Sequence, residues 1–309
     1  MDRTLAGMAL MLGFVATAPL IDVASKLASQ TVPVGQITAV RFLVQGLVTL
    51  PFAGLVALRV PRPLLWPLLA RAACLVVSTF AFVSAVAVMP IADALAIVFV
   101  MPFVLLFLGR LLMGDAVGPR RIAASVLGFA GSLLVMRPAW DSYGTTALWP
   151  LVTAVSFAFY MLLTRSLSPR LGPAEMQVQT SWLAVVLCLP LLGLGAASGQ
   201  PALAPVWPAG LAWAWLAGVG VASALAHGLM TLALRLAPSA TLAPLNYLEI
   251  VSAAALGYLV FGDWPDGPTW AGIGVIVVSG LYVIHRERVA SAERRSELLP
   301  AATARRGEG

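Results

Sequence analysis

ALAIVFVMPFVLLFLGRLLM, residues 94–113, is a run of twenty residues with a single charge, Arg110. An α-helix rises about 1.5 Å per residue, so this run spans about 30 Å, the thickness of a bilayer's hydrocarbon core. Working outward from it, similar runs fill the chain, at about 4–26, 34–58, 66–88, 91–113, 119–137, 145–166, 173–196, 209–235, 240–262 and 268–286. Turn residues and charges separate them, as in Val60-Pro61-Arg62-Pro63 and Trp264-Pro265-Asp266-Gly267-Pro268. The chain of 309 residues is 60% hydrophobic and 10% charged, whereas soluble domains carry about 25% charge. The expected fold class is therefore an all-α membrane protein of ten transmembrane helices.

The net charge is +6, but the basic residues sit in short gaps between apolar runs. That placement argues for orientation in a membrane rather than nucleic-acid binding. With the N-terminus in the cytoplasm, Arg3, Arg59, Arg62, Arg71, Arg110, Arg120, Arg121, Arg165, Arg170, Arg235 and the arginines after His285 all fall on the cytoplasmic side. Lys26 and Arg137 fall on the other side, and Arg41 within a span. This is the positive-inside pattern, and a miscounted span would scramble it. It implies a bacterial-type inner (plasma) membrane protein with both termini cytoplasmic. Arg3 and the Ala16-Thr17-Ala18 that follows have the outline of a cleavable leader. Polar residues in the segment, and the repeat below, favour its retention as the first helix. Cys74 and Cys188 lie inside apolar segments and read as small core residues.

The chain looks duplicated. Pro90 and Pro238 each open a span, and these spans close on Leu112-Met113-Gly114-Asp115 and Val260-Phe261-Gly262-Asp263, with both pairs of landmarks 148 residues apart. An odd number of helices per copy makes the second copy enter the membrane upside down. The expected organisation is a first five-helix repeat over 1–142, a second over 143–286, and a disordered cytoplasmic tail over 287–309. Inverted repeats with a midplane site between them are a common plan of secondary transporters. A larger bundle built by duplication alone is the plainer alternative, and it has little need of buried charge.

Ionisable residues inside spans are costly and usually face the interior. Asp22 lies one turn before Lys26 in the first span, and Arg41 lies about 10 Å from the external end of the second. They read either as a charged cluster lining a solute path or as an ion pair tying two helices. Glu249 and His227 lie at comparable depth in the ninth and eighth spans. They read as a pair that binds a cationic group or carries a proton, or as structural hydrogen-bonding groups. Asn246, Tyr160 and Trp182 complete the candidate substrate-binding set by offering orienting hydrogen bonds and ring surface. Pro19, Pro102, Pro190 and Pro244 fall within spans and are expected to kink or break them.

The sequence has no phosphate-binding glycine loop followed by Lys, no metal-ligand spacing and no serine elbow. These patterns imply no enzyme, no cofactor and no metal. Energy for transport would come from a gradient, with a proton or another ion as coupling partner. A non-transporting membrane receptor or scaffold is the rival class.

Several stretches resemble the EamA-type members of the drug/metabolite transporter superfamily. They are Arg41-Phe42, Pro102-Phe103 followed by Leu111-Leu112-Met113-Gly114-Asp115, and Ala243-Pro244-Leu245-Asn246-Tyr247-Leu248-Glu249 through Phe261-Gly262-Asp263. The resemblance covers roughly residues 5–286, with Asp where the family usually has Glu. It implies two inverted five-helix repeats moving a small solute by alternating access. A polar metabolite such as an amino acid or its derivative is the expected solute, with S-adenosylmethionine or riboflavin import as the alternative.

Overall fold

The structure, a computed structural model, describes residues 3–113, 119–237, 242–279 and 281–282. The tail beyond them, Gly114-Asp115 and Pro238 lie outside the described residues. The described chain is helical: α1 (Arg3–Ala28), α2 (Val34–Ala53), α3 (Leu65–Val86), α4 (Ile91–Val98), α5 (Met101–Met113), α6 (Pro119–Tyr143), α7 (Trp149–Leu167), α8 (Pro173–Ser198), α9 (Ala212–Leu236), α10 (Glu249–Phe261) and α11 (Gly267–Ser279). Seven spans among the described residues are long and apolar enough to cross a membrane, with α4 and α5 forming one of them and α10 and α11 shorter. Burial of polar and apolar side chains matches a membrane solvent. Leu12, Leu47, Leu189 and Leu194 face outward, while Arg41, Arg71, Gln45 and Gln177 are buried. In lipid the backbone must satisfy its own hydrogen bonds, which is why the apolar runs are helices.

Proline and glycine set the boundaries. Pro33 and Pro90 stand just before α2 and α4 in extended conformation. Pro102 lacks the N–H that would reach the carbonyl of Val98, and the helix breaks there, between α4 and α5. In the second half a 3-10 stretch, Ala243–Leu248, precedes α10. The first residues after these two breaks, Met101 and Glu249, are again 148 apart in sequence. Gly262 ends α10 at φ 73°, and the N–H of Asp263 turns back to the carbonyl of Gly257. That left-handed turn suits glycine.

The principal packing pairs are α1 with α9, α3 with α7, and α2 with both α8 and α9. Further pairs are α3 with α8, α1 with α10, α5 with α7, and α4 with α10. Exchanging α1 with α7, α2 with α8, α3 with α9, and α4–α5 with α10 maps this set of pairs onto itself. Small residues allow the closest approaches. A Cβ on Gly131 of α6 would stand 3.0 Å from the carbonyl oxygen of Gly272 in α11, and one on Gly220 of α9 would meet Val44 of α2 at 2.3 Å.

Candidate functional site

Between the paired helices lies an open crevice whose enclosed cavity volume is about 110 Å³. Its wall is largely apolar, with Phe14, Phe82, Phe99 and Phe157 among the lining residues. Asp22 of α1, Arg41 of α2, His227 of α9, and Asn246 and Glu249 at the break before α10 also line it. Five of the seven residues expected from sequence are thus brought to one cavity, drawn from both halves of the chain.

Arg41 is 6% exposed and sits at the meeting point of the halves. One guanidinium nitrogen donates to the hydroxyl of Thr79 in α3, and the other lies 3.3 Å from Nε2 of His227 in α9. Thr79 and His227 are 148 residues apart, so Arg41 bridges repeat-equivalent positions. A guanidinium has no acceptor, so Nε2 of His227 must accept. The imidazole proton then sits on Nδ1 and points to the carbonyl of Ser223 at 3.2 Å, leaving the ring neutral. Phe14 and Phe157 fix the imidazole edge-on, with ring centroids 6.4 and 6.3 Å away.

The remaining candidates fall elsewhere. Tyr160 is fully buried behind His227, with ring centroids 6.1 Å apart. Its hydroxyl accepts from Arg71 at 2.8 Å. Trp182 does not line the crevice; its indole packs beside Gly46 of α2. Three expectations read from the sequence are corrected. Lys26 turns away from Asp22 to Asp263 at 2.7 Å and to the carbonyl of Met89 at 3.2 Å. His227 meets Arg41 rather than Glu249. Arg71, counted among the charges of the cytoplasmic side, is fully buried inside α3, where Thr164, Thr180, Tyr160 and the carbonyl of Met176 accept from it.

Two carboxylates, Asp22 and Glu249, face the crevice without a hydrogen bond or ion pair to any described residue. The side-chain oxygen of Asn246 and Nε of Arg41 are buried and unpartnered among the described residues. The site thus presents both acceptors and a cationic donor to whatever enters. Ser78, Thr79 and Thr153 add hydroxyls that the sequence analysis missed. Thr79 was legible in principle, because it occupies the position equivalent to His227.

Comparison with known proteins places this architecture in context. A riboflavin transporter of Rhizobium johnstonii is 32% identical over 244 residues, covering 78% of each chain. An S-adenosylmethionine uptake transporter of Rickettsia felis is 23% identical over 278 residues, covering 88% of this chain and 90% of the relative. A pseudopaline exporter of Pseudomonas aeruginosa is 28% identical over 207 residues, covering 66% of this chain and 69% of the relative. A solved crystal structure shares the fold at a TM-score of 0.66 and 22% identity, covering 88% of this chain and 94% of the other. The EamA-like transporter family model matches residues 5–137 and again 144–285, so this multi-pass membrane protein, a transporter rather than an enzyme, belongs to the EamA-like transporter family.

Proposed function

We propose that the chain is a gradient-driven importer of riboflavin or a closely similar flavin, working by alternating access across a bacterial inner membrane. The observation that carries this is a crevice where aromatic walls surround ionisable groups contributed by both halves. A flat apolar ring system fits such walls, and the polar groups at Arg41, Asn246 and Glu249 can orient its hydrogen-bonding edge and hydroxylated chain. The 32% identity to a riboflavin transporter supports that solute over a plain amino acid.

The same reading takes the chain as ten spans in two inverted repeats, 1–142 and 143–286, with both termini cytoplasmic. The exchange symmetry of the packing pairs supports it. So does the gathering of loops at each end. Gln36 reaches Val206 and Lys26 reaches Asp263 at one end, while Gln179 reaches the carbonyl of Arg59 at the other.

A second reading, S-adenosylmethionine uptake, is favoured by the unpaired Asp22 and Glu249, which suit a sulfonium or ammonium group. Labelled riboflavin uptake into proteoliposomes, competed with either compound, separates the two. The expected outcome is saturable uptake that unlabelled riboflavin suppresses and S-adenosylmethionine does not. The reverse pattern, or no uptake of riboflavin, sinks the main reading.

A further inference from the structure

The charges facing the crevice do not balance. Among the described residues α1 contributes Asp22, α2 Arg41, α9 His227 and α10 Glu249, while α3, α4, α5 and α7 line it with neutral groups. Tyr160 of α7 stands behind His227 and is engaged by Arg71, which is bound by neutral acceptors. Lys26 is held at one end by Asp263 and does not line the crevice. His227 is neutral, by the donor argument above. Two carboxylates therefore face one guanidinium, and that guanidinium already donates to Thr79 and His227 rather than to either carboxylate. An uncompensated negative charge at membrane depth is costly. A further acceptor, the side-chain oxygen of Asn246, is 4% exposed, has no partner among the described residues, and belongs to the same wall.

We propose that the crevice holds one small monovalent cation, a proton or Na⁺, at Asp22, Glu249 and the side-chain oxygen of Asn246, and that this cation is the coupling ion of transport. The proposal rests on the transporter reading above. The three groups come from α1 and from the break before α10, elements that pack on each other. A cation between them ties the first half to the second, and its departure leaves the two carboxylates to repel each other. Loading and release of one charge thereby bias the relative position of the halves, which is what coupling requires.

The test uses the full chain reconstituted in lipid, without any solute. Infrared difference spectroscopy follows the protonated-carboxyl stretch across pH, and equilibrium binding of radioactive sodium runs in parallel. Asp22→Asn and Glu249→Gln, both near-isosteric, serve as independent variants. A carboxyl band that fades with rising pH, ignores sodium and is lost in either variant identifies the cation as a proton. Saturable sodium binding that weakens about tenfold or more in either variant identifies it as Na⁺. Neither signal in the wild type overturns the proposal, as does a signal that persists in both variants. Because these readouts need no solute, a wild type that fails to take up riboflavin sinks the substrate reading separately. In proteoliposomes the matching ion gradient is expected to raise accumulation about tenfold over the no-gradient level.

Discussion

Arg41 joins Thr79 and His227 with two donors of one rigid plane, and an ammonium on a flexible stem cannot reproduce that fork. Losing one charge-assisted bond in a buried setting costs about 1.5–3 kcal/mol, so Arg41→Lys is expected to lower initial uptake by about tenfold or more. A wild-type rate in vesicles carrying equal amounts of the variant would remove Arg41 from the site. Arg71 makes a contrasting case: it is sealed among neutral acceptors and does not line the crevice. Tyr160→Phe would leave one of its nitrogens unsatisfied and is expected to cost about 1–3 kcal/mol of stability. The drop would appear as a lower thermal unfolding midpoint of the purified protein. An unchanged midpoint would show that Arg71 finds another acceptor. Sequence reasoning reached Arg41 and Glu249 because a charge inside an apolar run is conspicuous. It misplaced Arg71, six residues after the start of α3, because hydropathy cannot distinguish a buried arginine near a span's end from one at the interface.

At the scale of elements, turns decide where charges meet. The left-handed Gly262 swings Asp263 back toward α1, where Lys26 receives it and also sits 4.6 Å from the Phe261 ring centroid. Lys26 and Asp263 are 16% and 28% exposed, so the pair stands close to water and its energy is modest, about 0–1 kcal/mol. Its use is positional, since it ties the first helix to the turn after the ninth span. Lys26→Asp or Asp263→Lys alone is expected to change the uptake rate several-fold, and the double exchange to restore most of it. If the double variant is worse than both singles, the pair is not a tie between these elements. Gly220 shows the other side of element packing. Gly220→Ala forces its Cβ against Val44, on the turn of α2 that carries Arg41, and is expected to cost about 1–3 kcal/mol. Measured folded yield after heating, together with uptake, checks it. Helix positions were legible from hydropathy, and Pro102 announced the break in the fourth span. Which helix packs on which was not legible, because membrane helices are apolar on every face and show no stripe that names a partner.

Across the whole molecule, the duplication visible as two Pro-to-Gly-Asp spans reappears as packing that maps onto itself when the halves are exchanged. In the ten-span arrangement proposed above, an odd number of crossings per half would give those halves opposite orientations. That requirement fixes the side on which every loop must lie. On the proposed topology the loops near Gln200 and Asp266 would lie on the external face by the positive-inside count, and those at Arg62 and Arg170 on the cytoplasmic face. All four residues are exposed, so a thiol placed there would be reachable from its own side. Gln200→Cys, Asp266→Cys, Arg62→Cys and Arg170→Cys are each introduced into a chain whose Cys74 and Cys188 are replaced by serine. A membrane-impermeant maleimide is expected to label the first two in intact cells and the last two only after the membrane is opened. The comparison is discriminating because it samples the second half on both sides and sets it against the cytoplasmic Arg62 loop of the first. A parallel repeat would carry the second-half loops to the other face and reverse their labelling relative to the first half. Labelling of Arg170→Cys in intact cells would therefore break the inverted arrangement, and with it the basis for a site shared between opposed halves.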